Sequence, residues 1–447
     1  MYVDVVQTEG QPGPNKRLTP DPLRLSAQQL HARIEKLSSE IELQKELLKT
    51  LEREKLLVQR QLNAVLDPVA RLPVEISSEI FLRSLSPFPK PNPRHSPILL
   101  LNICNAWTNI ALSTPALWTA IAIVFPCGPR FKELLNIWLH RAGNRPLSIS
   151  LRGETEDADI ADAVVEIVCQ HGHKLRHLQI SEGNEDYEMI RYSEVDHFGG
   201  TTPGPFPLLK TLAFRCSSGR SFSGPEIFVF LRLAPNLVEC RFHNVDPVYC
   251  GDDMEGKLTL SSLRCLIFGP DAGNPDSDDA ILNYLILPGL KSLAIPLRYL
   301  STYDLFAFLE RSSPPLQELI VGEALKPDES DELHRCLTLV PTVTRFEIWW
   351  PDPNIVVDLF AALADSASLL PNLRYLTIHH VDESDISDSS SEIFIRALSA
   401  RRTQLQVVRL ILDDRPPPVD LLDALRELVA DGMEIHIGTE ERNYIVA

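Results

Sequence analysis

The eight cysteines, at positions 104, 127, 169, 216, 240, 250, 265 and 336, include no CxxC pair. Without ligands at short spacing a zinc site is not expected, and the scatter fits small core hydrophobes in a reducing compartment. Basic runs are missing as well. With 43 Lys and Arg against 61 Asp and Glu, the net charge is −18, the reverse of a surface built to neutralise phosphates, so no nucleic-acid partner is expected. The most apolar run, 110–125, is broken by Ser113, Thr114, Pro115 and Thr119, and no membrane span is expected. The opening residues MYVDVVQTEGQPGP lack a basic start and an apolar core. No signal peptide is therefore expected, and the chain reads as cytoplasmic or nuclear. Walker loops, dinucleotide fingerprints and nucleophile elbows are absent; Gly219-Arg-Ser221-Phe-Ser223 lacks the closing glycine.

What is present suits a protein with a sizeable core. The 447 residues are 44% hydrophobic and 23% charged, ordinary globular values, and leave room for two or three domains or one domain with an extended array. Residues 1–25 combine Gly, Pro and polar groups, the composition of a disordered tail. At Ser26 a capping box with Gln29 opens a helix over 26–67, with Leu25 and Leu30 placed to staple its start. Leu30, Ile34, Leu37, Ile41, Leu48, Leu51, Val58, Leu62 and Val65 keep the spacing of a coiled-coil seam, with Gln44 and Lys55 at two seam positions. Polar seam residues fix register in self-paired helices. The alternative is one helix folding back on the following module, helped by Leu43, Leu47 and Leu57.

Residues 68–125 form a second module. Pro73 suits a first helical turn, after which Ile76, Ile80 and Phe81 recur on one face. The prolines at 87, 89, 91 and 93 end that helix, and a second is expected from Ser96 or Pro97 through Leu99, Leu100, Ile103, Cys104, Trp107, Ile110 and Ala111. Two helices so small cannot hide so many large apolar groups against each other, so part of this surface needs a partner, in this chain or another. Leu72-Pro73-x-Glu75-Ile76-x-x-x-Ile80-Phe81, followed by Ile103-Cys104-x-x-Trp107-x-x-Ile110-Ala111 and the ending Ala111-Leu-Ser-Thr-Pro-Ala-Leu-Trp118, resembles the F-box. A heptad helix, an F-box with this ending and irregular leucine-rich repeats resemble a large group of F-box proteins from mushroom-forming fungi. The long proline-rich loop from Ser84 to Ser96, and Asn105-Ala106 where basic residues are common, depart from that pattern. The resemblance implies that Leu72, Pro73, Ile76, Ile80, Phe81, Ile103, Cys104, Trp107 and Ile110 hold a Skp-family adaptor of a cullin-based ubiquitin ligase.

From 129 to 442 the chain alternates strands with helices. Phe131–Arg141 reads as an amphipathic helix and 146–151 as a strand. Nine segments of the form apolar-x-x-apolar-x-apolar follow, beginning at 175, 209, 237, 263, 290, 316, 343, 373 and 405, with steps of 26, 27, 26 and 27 between 237 and 343. Helices are expected between them over 226–233, 279–287, 303–310, 331–339, 356–364, 392–400 and 419–429. Each strand-and-helix unit is too small to bury its own apolar face, so the units must stack. The fold class is α/β: a coiled-coil helix, a small helical F-box-like module, then an irregular leucine-rich-repeat solenoid with a parallel sheet on its concave side. The Asn or Cys of regular repeats is replaced by residues such as Val245, Asp271, Arg298 and Pro351, hence irregular, and 181–207 is expected to loop out.

Chemistry is sparse. His171-x-His173 and His379-His380 lack a third metal ligand, and the acidic clusters at 154–159, 276–279 and 382–392 read as solvated turns, the last with serines open to phosphorylation. Third and fifth positions of each strand point to the concave surface, where Arg345, Trp349, Tyr375 and His379 are the candidate substrate contacts, Trp349 and His379 falling at equivalent places in adjacent repeats. Equally, Trp349 or Trp350 packs under a neighbouring loop. The expected function is a non-catalytic substrate receptor without cofactor, joining the adaptor and cullin ligase to a protein substrate that the sequence does not name. The alternative is a coiled-coil and leucine-rich-repeat scaffold in which the F-box-like pair only caps the solenoid.

Overall fold

The structure, a computed structural model, describes residues 27–128, 130–153, 158–182, 204–216, 222–245, 248–249, 256–270, 273–322, 329–381, 388–412, 419–439 and 441–445. The expected tail, the cap at Ser26, most of the 181–207 insertion and the acidic stretches 154–157 and 382–387 lie outside these residues. The class is α/β, with a large parallel sheet and, among the described residues, eleven α-helices. Contacts divide the chain into two units: Met1–Arg71 with Ile103–Ala106, and Leu72–Asn102 with Trp107–Ala447.

The first unit is dominated by α1 (Ala27–Leu66), 40 residues long. The nine apolar seam residues of α1 are all 47–67% exposed, and Leu43, Leu47 and Leu57 are exposed too. Near its end, Asn63 Nδ2 donates to the Ile103 carbonyl at 3.0 Å. Cys104 is fully buried and Ile103 partly so.

The second unit opens with α2 (Val74–Arg83), whose N-cap is Pro73. Two expectations about this region are corrected. Ile76, Ile80 and Phe81 do not share a face: Phe81 is buried with Ser77, while Ile76 and Ile80 point outward. Nor does one helix run on from Ser96. A 3₁₀ turn at Leu99–Asn102 stops short of α3 (Asn105–Ser113). The Thr108 hydroxyl donates to the Leu101 carbonyl at 2.9 Å, taking up the acceptor that a continuous helix would use for the Asn105 N–H. The ending that follows is a fastening. Thr114 Oγ1 donates to the Ile110 carbonyl at 2.7 Å and lies 2.9 Å from Ser78 Oγ. Trp118 Nε1 donates to the Ala111 carbonyl at 2.9 Å.

Twelve strands then form one parallel sheet in which every neighbour in sequence is a neighbour in space. They are β1 (Ala120–Val124), β2 (Leu147–Arg152), β3 (Leu175–Glu182), β4 (Thr211–Cys216), β5 (Glu239–His243), β6 (Cys265–Phe268), β7 (Ser292–Ile295), β8 (Glu318–Val321), β9 (Arg345–Trp349), β10 (Tyr375–Val381), β11 (Val407–Leu412) and β12 (Glu434–Gly438). Between strands run α4 (Phe131–Ala142), α5 (Ala158–Gln170), α6 (Gly224–Leu233), α7 (Thr302–Ser312), α8 (Ser330–Thr338), α9 (Pro353–Asp365), α10 (Asp388–Ala400) and α11 (Val419–Ala430), and α7 to α11 each pack on the next. The helix expected over 279–287 is instead a 3₁₀ turn, Ala280–Tyr284, running into a short strand. Neither β1, α5 nor β12 follows from the leucine spacing.

The first, fourth and sixth positions of each segment are buried, and register is kept across the sheet, so equal positions align into rows. At the sixth, Phe214, Phe242 and Phe268 stack at 5.5 and 5.1 Å. The side-chain ladder missing after the strands is replaced by one before them. Asn236 donates to the Pro207 carbonyl at 3.0 Å, Asn372 to that of Pro341 at 2.8 Å, Gln404 to that of Pro371, and Thr342 to that of Leu316 at 2.6 Å. Each polar residue stands just ahead of its strand and reaches back one repeat, pairing a turn carbonyl of the preceding unit.

Both edges of the sheet are covered. Ala122 of β1 donates to the Pro89 carbonyl at 2.9 Å, and the proline-rich loop offers few donors for further pairing. At β12, Asn443 imitates a strand: its Oδ1 accepts the Ile437 N–H at 3.2 Å and its Nδ2 donates to the Ile435 carbonyl at 3.1 Å.

Candidate functional site

Two surfaces of the second unit carry the residues singled out from sequence. The first is the outer side of α2. Leu72 (40%), Ile76 (52%) and Ile80 (42%) recur every four residues and are exposed, as is Pro73. The opposite side is sealed: Phe81 packs on Trp107 with ring centroids 4.7 Å apart, and Ile110 is buried. Trp107 is half-buried. These candidate adaptor contacts thus divide into an outer row that meets solvent and an inner set that holds the helices. Ile103 and Cys104 belong to the first unit.

The second surface is the face of the sheet opposite the helices, where third, fifth and seventh positions alternate with buried ones. Arg345, Tyr375, Trp349 and His379 come together on β9 and β10, paired as Arg345 with Tyr375 and Trp349 with His379. The Arg345 guanidinium lies 5.1 Å from the centre of the Tyr375 ring and 3.6 Å from both Glu318 and Glu347. Trp349 stacks on His379 at 3.6 Å with the ring planes nearly parallel, and His379 Nε2 stands 3.6 Å from Glu347. The His379 imidazole, aided by Arg345, holds the Glu347 carboxyl below the usual carboxylate range although burial opposes this. The pair of stacked residues is repeated once more: Trp350, 44% exposed, lies on His380 at 3.7 Å. Both residues have positive φ, and His380 interrupts the register of β10, a bulge that turns the second stack away from the first. Sequence reasoning did not anticipate this second stack, although the doublets Trp349-Trp350 and His379-His380 mark it.

A groove of about 760 Å³ runs from here over β11 and β12, adding Arg409, Glu434 and His436. A second, of about 440 Å³, runs the other way over Ile267, Ala294 and Ile320, with Trp349 as a wall. Arg345, Glu347 and His379 line both. A third cavity of about 190 Å³ is lined by Phe214, Arg215, Arg241, His243, Gly269 and Pro270 and shares the last two with the second. Gly269 lets the 274–276 backbone pack closely at this junction: a Cβ there would lie 2.8 Å from the Pro275 Cα.

The cluster at 276–279 is a correction, because Ser277, Asp278 and Asp279 are buried. Its carboxylates cap backbone N–H groups of β5's exit and of the following turns. Asp276 also lies 3.1 Å from His243 Nδ1. His171 bonds the Ile167 carbonyl at 2.9 Å. Among the described residues no three His, Cys, Asp or Glu converge as metal ligands, and no helix is long and apolar enough to cross a membrane. Burial pushes the Cys127 and Cys169 thiols up to about 11 and that of Cys336 to about 12, removing the thiolate a nucleophile needs at neutral pH. No protein-family model matches the chain, and no curated protein matches it significantly.

Proposed function

We propose that the chain is an F-box-type substrate receptor: a non-catalytic subunit that docks a Skp-family adaptor through residues 68–125 and presents a target protein on an irregular leucine-rich-repeat sheet. The observation that carries this reading is the outward apolar set of Leu72, just ahead of the α2 N-cap, with Ile76 and Ile80 on a helix whose other side is anchored by Phe81. Apolar side chains repeated on one exposed face of a fixed helix suit a protein partner, each able to contribute about 1.5–3 kcal/mol when fully covered. The sequential parallel strands and the 26–27-residue period support the repeat array. In this role the chain supplies proximity, raising the effective concentration of a target lysine beside enzymes bound elsewhere in the complex.

Co-purification of the full chain with a recombinant Skp-family adaptor tests the reading. The wild type is expected to capture the adaptor, and Ile76→Glu with Ile80→Glu to weaken capture at least tenfold without lowering the melting temperature. The scaffold reading draws on a different observation, the covering of β1 by Pro89, and expects no adaptor to be retained. Failure of the wild type to capture the adaptor would overturn the receptor reading.

A further inference from the structure

The three cavities on the sheet face join through shared residues into one trough whose chemistry changes along its length. At the β4–β5 end stand Arg215, Arg241 and His243, and among the described residues no carboxylate lines that cavity. This is notable in a chain whose acidic residues outnumber its basic ones by 61 to 43. Glu239, two residues along the same strand, stands on Arg241 Nε at 2.5 Å and Asp276 lies beside His243, while Arg215 is exposed. In the middle the floor is apolar, formed by Ile267, Ala294 and Ile320. Beyond it Glu318 and Glu347 line the same space.

From these neighbours we infer that the trough binds an extended segment of a partner protein in which an oxyanion side chain, a carboxylate or a phosphate ester, lies three or four residues from a bulky apolar one. This deepens the proposed function and rests on its reading of the sheet face as the target-binding surface. Strands in a sheet are about 4.8 Å apart, so across the sheet Arg215 on β4 lies roughly 10 Å from Ile267 on β6 and roughly 14 Å from Ala294 on β7. An extended chain advances about 3.4 Å per residue, which sets the interval. A polypeptide also brings N–H donors for Glu318 and Glu347. A nucleic acid would bring phosphates against those two carboxylates and Glu434.

The test uses the full-length chain and fluorescein-labelled ten-residue peptides of Gly and Ser. Each carries one Leu and one Asp, phosphoserine or Lys, at separations from one to seven, and binding is read by fluorescence polarisation. The expected result is tightest binding of the Asp or phosphoserine series at a separation of three or four. Affinity should fall at least fivefold between 50 and 300 mM salt and at least tenfold in Arg215→Glu, whose melting temperature should match the wild type. The Lys series should not exceed the Gly-Ser background. Equal binding at all separations, a preference for Lys, an unaffected Arg215→Glu, stronger competition by single-stranded DNA, or no peptide above background would each overturn the inference. No adaptor is present in this measurement. Loss of adaptor capture with peptide binding intact would therefore count against the receptor reading alone, and the converse against this inference alone.

Discussion

Asp279 lies fully buried in the loop after β6, where Oδ1 accepts the N–H groups of Tyr299 at 3.1 Å and Leu300 at 3.0 Å. Loss of water, with Asp278 adding to it, raises the carboxyl from 3.8 to about 6, although the two N–H groups pull the other way. Because the folded value is the higher one, the folded chain binds the proton more tightly than the unfolded chain. Stability from this residue is therefore greatest below about pH 4 and falls as pH rises through 6, a cost of about 2–3 kcal/mol at neutral pH. Asp279→Asn keeps an acceptor and removes the charge, so at pH 7.5 it should be more stable than the wild type by up to about 2–3 kcal/mol, whereas Asp279→Ala, which leaves the Tyr299 and Leu300 N–H groups without that acceptor, should be about 2 kcal/mol less stable than Asp279→Asn. Urea denaturation at pH 4.5 and 7.5 checks both, and the Asn variant should lose the decline between those values. Arg401 is the cationic counterpart. It is 4% exposed and donates to the carbonyls of Leu363, Ser366 and Leu369 and to Gln404. Neither burial is visible in sequence, where an acidic tetrad and an Arg-Arg doublet look like solvent-facing groups; the partners that make burial tolerable lie 20 to 38 residues away.

Among the elements, α1 has the clearest sequence signature and the least cover. A helix of 40 residues with nine exposed apolar seam positions gains little from its weak surface ion pairs, such as Glu42–Lys45. It is expected to find its stability in a second copy. Light scattering at micromolar concentration should give twice the monomer mass, and Ile41→Lys with Leu48→Lys should return the monomer and reduce helicity; a monomeric wild type would refute this. The repeated segments from 237 to 343 were legible because each strand buries three side chains at fixed spacing, and their strands fall at β5 to β9 as that spacing requires. β1 was missed because Ala120–Val124 is apolar throughout, with Ile121, Ala122 and Ile123 all buried, so it has no period to read. The break before α3 was missed because a single hydroxyl on Thr108 decides it. Arg345, Trp349, Tyr375 and His379 were found because register carries equal positions to equal places. Arg215 and His243 stand at the same seventh position as Trp349 and His379 and escaped notice because a polar residue at a strand end reads as ordinary solvent-facing surface.

For the molecule as a whole, the sheet is a line of strands with two ends, and each end carries its own cover. Asn443→Ala removes both side-chain bonds to β12 and leaves the Tyr444 N–H to Ile437 carbonyl bond at 2.8 Å as the main remaining cover of that edge, which should cost about 1–3 kcal/mol locally. Hydrogen exchange should then quicken at least tenfold at Glu434–Gly438 while amides of β6 to β9 keep their protection; unchanged exchange at β12 would show that the side chain is not what holds the edge. The terminal covers also separate what is fixed from what is free in such a chain. A strand-and-helix unit duplicated or lost between β4 and β11 would leave Pro89 and Asn443 still bound to the first and last strands. Gene-level gain or loss of an internal unit would change only how far Arg215 stands from Trp349 and Trp350, so the length of the exposed sheet face is the property most open to drift.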